Sequence, residues 1–187
     1  MLRRTILIGL ACILLSAPII AQTEKPLPAA KIMETAYAKA KETNKNVFLI
    51  FHATWCGFCK KLDTALESSE LKKIFDDNFV IVHLDVMESD EKIAQFENPG
   101  GKALMDSLGG SNAGIPYFVF ITPDGKTLAN SNVTPPDNSN LGYPVKPEEI
   151  EAFIKILKIG APKITEKQIG IIFEYLNNKP SSTAPSH

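Results

Sequence analysis

Cysteine is scarce in this chain. Three in 187 residues are too few for a small scaffold held together by disulfides. Charge of one sign is lacking too. Twenty basic and 21 acidic residues leave a formal net charge of −1, which offers no electrostatic footprint for nucleic acid. Histidine is limited to His52, His83 and His187, a thin supply for a zinc site. No internal repeat is visible. What is present is ordinary: 44% apolar and 22% charged residues, as in globular rather than disordered, collagen-like or coiled-coil chains. The length suits one domain, for which about 100–200 residues is usual.

The longest apolar run lies at the start. Residues 1–4 are short and basic, and 6–20 are apolar except for Ser16 and Pro18. Ala21 then offers a small residue before Gln22. This is the shape of a cleaved secretory signal, and it falls short of the roughly 20 residues of a membrane span. An uncleaved anchor and a lipoprotein signal at Cys12 are the alternatives, and only the anchor would make the membrane a partner. Cleavage after Ala21 removes Arg3, Arg4 and Cys12 but no acid, so the net charge becomes −3. Cys56 and Cys59 then remain as one pair, in an oxidising compartment. The expected organisation is a signal at 1–21, a tether at 22–28, a domain at 29–179 and a disordered tail at 180–187. The expected location is periplasmic or secreted.

Residues 29–42 carry Ile32, Ala36, Tyr37 and Ala40 at near-helical spacing, and Asn44 to Asn46 end that helix. The unbroken apolar run 47–51 predicts a strand buried on both faces. A helix follows from Cys56 to about Glu67, and Ser68 or Ser69 could cap a second one carrying Leu71, Ile74 and Phe75. Residues 79–86 read as a strand, and 102–108 as a short helix between glycine pairs. The run 117–121, the turn Pro123-Asp124-Gly125 and residues 126–133 read as a β-hairpin. After a loop at 134–144, Pro147 opens a helix that buries Ile150, Phe153, Ile154 and Leu157. The last helix, 165–177, presents Ile169, Ile172, Phe173 and Leu176. The order implies an α/β layer structure with a mixed sheet.

Cys56 and Cys59 follow a buried strand and open a helix. Free N–H groups and the positive helix end stabilise a thiolate there, and such settings lower a thiol pKa. Lys60 and Lys61 add positive charge, Gly57 leaves room, and Trp55 could shield one flank. Two intervening residues let the sulfurs meet within one turn. An inert bridge is the bland reading, but so small a loop removes little unfolded-chain entropy. Zinc would need more ligands than this chain supplies, and copper held by the pair with a histidine is a further alternative. Neither a metal nor an organic cofactor is expected.

Trp55-Cys56-Gly57-Phe58-Cys59-Lys60 after a buried strand resembles the thioredoxin active site. Gly114-Ile115-Pro116-Tyr117-Phe118-Val119-Phe120, followed by Pro123-Asp124-Gly125, is similar to that family's cis-proline loop, strand and hairpin. The resemblance spans 29–157. It implies a three-layer thioredoxin-like fold, with a mixed central sheet flanked by helices and an added C-terminal helix. It also implies an exposed attacking thiolate at Cys56, a more buried resolving thiol at Cys59, and a cis Pro116 that sets the Ile115 backbone beside Cys56. Substrate would then meet Trp55, Ile115 and Pro116.

One departure stands out. Thioredoxins carry a buried aspartate where this chain has Ile50, so proton transfer would fall to water, His83, Asp85 or Glu88. Lys60 and His83 become candidates for tuning the thiol pKa. His83 and Asp85 also read simply as polar groups at a strand end, and His52 as a packed side chain.

The resemblance thus implies a secreted thiol–disulfide oxidoreductase acting on protein disulfides. Gly57-Phe58 lacks the histidine common in strongly oxidising relatives, which leans towards reduction or interchange. That direction requires an external electron donor, such as a membrane redox protein. A disulfide isomerase or oxidase, or a binding module with idle cysteines, is the alternative.

Overall fold

The computed structural model describes residues 25–134 and 137–178. The expected signal and tail therefore lie outside the described residues, as does the start of the tether. Helix α1 (Ala29–Thr43) ends at Asn44, whose left-handed backbone donates its N–H to the last carbonyls. Strand β1 (Asn46–His52) follows. Helices α2 (Gly57–Leu66) and α3 (Lys72–Asn78) cross to strand β2 (Phe79–Asp85). Ser68 shapes the turn between those helices, its hydroxyl donating to Ala65 O and accepting from Leu71 N. Helices α4 (Asp90–Phe96) and α5 (Gly101–Met105) lead into a π-helical turn, Asp106–Gly110. Strands β3 (Tyr117–Ile121), β4 (Thr127–Asn130), β5 (Asn132–Thr134) and β6 (Ser139–Asn140) precede helices α6 (Pro147–Gly160) and α7 (Glu166–Asn178).

The main sheet runs β2-β1-β3-β4. β1 pairs with β2 in parallel and with β3 antiparallel, so the sheet is mixed, and β5 and β6 form a small separate ribbon. The pleat divides the core in two. Val47, Leu49 and Phe51 of β1 face α1, together with Val80, Val82, Tyr117 and Val119. Phe48 and Ile50 face the opposite layer of α2, α3, α6 and α7, together with Phe118 and Phe120. Strand β1 is thus buried on both faces, as its unbroken apolar run predicts.

The structure corrects several details. Residues 126–133 are not one strand: the chain turns at Ser131, which is 0% exposed, and β4 gives way to β5. Ser131 N donates to Phe118 O at 2.9 Å, and Phe118 N donates back to its hydroxyl at 3.0 Å. The serine side chain therefore fills a ladder position. The irregular segment before β3 holds α4 as well as the expected short helix, and α4 buries none of its residues. On α7 the inward face is Ile169, Ile172, Tyr175 and Leu176, whereas Phe173 is exposed. Met33 joins the buried face of α1, where Ile32 is partly buried against the core, and Ile156 joins that of α6, where Ile154 is partly buried.

Candidate active site

Both cysteines sit where the parallel β1–α2 crossover begins. Cys56 is the N-cap of α2, and its Sγ accepts the Cys59 N–H at 3.1 Å. The cap orients a donor at the sulfur that would carry negative charge once the pair is reduced. The pair is joined as a disulfide. Cys56 is 3% and Cys59 1% exposed, so the exposed thiol expected at position 56 is instead buried, though less deeply than its partner. Ala53 and Ile115 pack against both.

The Ile115–Pro116 bond is cis. Ile115 O lies 3.5 Å from Cys56 Sγ, which brings the two motifs together across 59 residues of chain. Trp55 and Phe58 flank the pair with exposed rings. The indole N–H of Trp55 donates to Met87 O at 2.8 Å, so the ring is tethered to the segment after β2. A cleft of about 600 Å³ beside the pair is lined by Phe58, Ile115, Pro116, Leu141 and Tyr143.

Glu88 is a buried carboxylate that accepts from both the backbone N–H and the hydroxyl of Thr54. It holds the loop before Cys56. Lys60 is exposed on α2. His83 lies on β2 with Nε2 2.9 Å from Asp63 Oδ1. Asp63 stands one helical turn beyond Cys59 on α2, the spacing at which side chains become neighbours.

His52 completes this group. Its Nδ1 is 3.9 Å from Asp63 Oδ2 and its Nε2 is 3.4 Å from Asp85 Oδ1, and its ring centroid is 5.0 Å from that of His83. Burial holds the His52 pKa below the usual imidazole range, with Asp85 opposing that shift. Burial raises the Asp85 carboxyl in turn. Four ionisable groups therefore gather on the same sheet face as Ile50, where the resemblance would have put one aspartate. His52 belongs to this group rather than being only a packed ring. Sequence reasoning missed Asp63, although its position four residues after Cys59 was the available signal. It also missed Asn140, whose side-chain amide reaches Gly114 O and Pro116 O on either side of Ile115. Among the described residues, no three or more His, Cys, Asp or Glu side chains are grouped to hold a metal ion.

A thioredoxin-like family model matches residues 29–123. The chain belongs to the thioredoxin-like family. It is 30% identical over 114 residues to an uncharacterized protein of Caenorhabditis elegans, covering 59% of this chain and 15% of that relative. It is 27% identical over 114 residues to a protein disulfide-isomerase of Hordeum vulgare, covering 61% and 19%. The chain thus spans less than a fifth of the length of these relatives. A disulphide isomerase from Xylella fastidiosa Temecula1 superposes with a TM-score of 0.47 at 22% identity, covering 79% of this chain and 88% of that one. Within the family, Cys56 and Cys59 are this chain's thiol–disulfide pair.

Proposed function

We propose that this chain is a secreted or periplasmic oxidoreductase that reduces or interchanges disulfides in other proteins. The observation that carries the reading is Cys56 Sγ held between the Cys59 N–H and the Ile115 carbonyl. In the reduced state the Cys56 thiolate attacks one sulfur of a substrate disulfide. A mixed disulfide forms, and the other substrate sulfur leaves as a thiolate that takes up a proton. Cys59, deprotonated, then attacks Cys56 Sγ and releases the second substrate thiol. Two electrons pass to the substrate, and the pair returns to a disulfide.

Resetting the pair takes two electrons and two protons from an external dithiol donor, for which a membrane redox protein is the proposed class. The apolar stretch 6–20 supports export, and the absence of histidine at Gly57-Phe58 supports the reducing direction. Similarity to a protein named a disulfide isomerase supports interchange. Trp55, Ile115 and Pro116 are the proposed substrate contacts. His83 and its neighbours are the proposed proton route, and Lys60 contributes positive charge.

A Cys59→Ser variant should accumulate mixed disulfides through Cys56, visible as thiol-sensitive adducts on non-reducing gels. A folded protein that forms no adduct and reduces no disulfide would overturn the reading. The reduction potential tests the direction: a value near −270 mV supports reduction, whereas one near −120 mV reverses it.

A further inference from the structure

We infer that Asn140 is a positioning residue for exchange on polypeptide disulfides, holding the backbone on both sides of Ile115. The inference rests on the function proposed above. Asn140 lies in β6, within the loop that the sequence marks only as rich in proline and asparagine. Its Nδ2 donates to Gly114 O at 2.7 Å and to Pro116 O at 3.1 Å. Its Oδ1 accepts from the Ser131 hydroxyl at 2.7 Å and from Gly142 N at 3.3 Å. A side-chain amide has two N–H donors and two acceptor lone pairs, so all four are used, each on a different residue.

The anchor behind this amide is firm. Ser131 is fully buried and hydrogen-bonded to Phe118, the second residue of β3. Leu141 N also donates to Ser131 O at 2.7 Å, which fixes the backbone next to Asn140. The chain of contacts runs from the core strand through Ser131 and Asn140 to the two carbonyls that bracket Ile115. Ile115 in turn presents its own carbonyl to Cys56 Sγ. Asn140 does not touch the sulfur. It sets the angle and distance at which the residue beside the sulfur meets an incoming chain.

A polypeptide substrate would pair with the Ile115 backbone as an added strand segment, where main-chain hydrogen bonds supply affinity. Its reacting disulfide is then aligned by that pairing. A small disulfide without a peptide backbone gains little from it. Loosening Ile115 should therefore penalise the two substrate classes unequally, because misplacing a bound reactant by an ångström is costly.

The experiment compares wild type, Asn140→Ala, Asn140→Asp and Ser131→Ala with two substrates. One is a disulfide-bonded protein such as insulin and the other is a small aromatic disulfide. Both are assayed with a dithiol donor, at a temperature where each variant is folded by circular dichroism. The ratio of kcat/KM for the protein to kcat/KM for the small disulfide should fall about tenfold in Asn140→Ala. Asn140→Asp should do at least as badly, because a carboxylate would face two carbonyl oxygens and donate to neither. Ser131→Ala should move the ratio the same way by less.

A purely structural role would lower both activities together and leave the ratio where it was. An unchanged ratio in Asn140→Ala and Asn140→Asp overturns the inference. A wild type that reduces neither substrate overturns the proposed function instead, so the two failures are distinct.

Discussion

Ile50 fills the core position that an aspartate takes in thioredoxins, and the ionisable groups stand around it instead. His52 is faced by Asp63 of α2, by His83 and Asp85 of β2, and by Glu88 beyond β2. Because burial lowers the His52 pKa below its unfolded value, the folded state binds fewer protons there than the unfolded chain. Stability from the neutral ring is present above about pH 6.5 and is lost as the pH falls through the folded pKa. Asp85 has the opposite sign: its raised pKa makes folding bind protons, so its effect favours stability towards lower pH, from about 3.8 upwards to its folded value. The urea midpoint should therefore fall between about pH 7.5 and 5.5, and the fall should be shallower in His52→Asn. Equal slopes in the two proteins would remove His52 from this account.

At the level of elements, the junction of β1 with α2 does the chemical positioning. The strand is packed on both faces and cannot shift, so the first turn of the helix is delivered to a fixed place. Helix α6 shows how closely the outer layer fits. A Cβ added at Gly160 would stand 2.4 Å from Phe120 Cγ and 2.9 Å from Phe120 Cβ, and Phe120 is a fully buried residue of β3. The ring cannot swing away, because Phe48 and Phe79 stack against it. Gly160→Ala should cost about 1–3 kcal/mol, read from chemical denaturation. A neutral substitution would mean that the end of α6 is looser than its contacts imply. Strand β4 has the opposite character: it stops at Ser131 so that the chain can turn and bring Asn140 back to Gly114 and Pro116.

For the whole molecule, two apolar layers meet at one strand. Phe48 sits at their most crowded point, with ring contacts to Phe75, Phe79, Phe118 and Phe120. Phe48→Ala should lose about 3–5 kcal/mol, a large share of the roughly 5–15 kcal/mol that holds a domain together. The loss would show in the denaturation midpoint. A loss below about 1 kcal/mol would imply that the neighbouring rings close over the gap. Among the described residues, no helix is long and apolar enough to cross a membrane.

Much of this was legible in the sequence because the signals are local. The run Val47–Phe51 reads as a doubly buried strand, and the spacing of Cys56 and Cys59 reads as a pair at a helix start. Pro123-Asp124-Gly125 reads as a turn, which Gly125 enters with φ +84°. The cysteine-bearing and proline-bearing motifs were each visible, but across the 59 residues that separate Cys56 from Ile115 only the family resemblance, not any local signal, put them together. The same holds for His52, Asp63, His83 and Asp85, which come from two strands and a helix. It holds most for Asn140, whose role depends on a buried serine nine residues earlier and on carbonyls 24 and 26 residues earlier. Periodicity and turn chemistry act within a few residues, so the sequence by itself determined most of the elements and the redox pair. Side-chain hydrogen bonds between distant segments depend on where the packed layers put them. Only the tertiary structure decided what surrounds the sulfurs and what holds Ile115 against them.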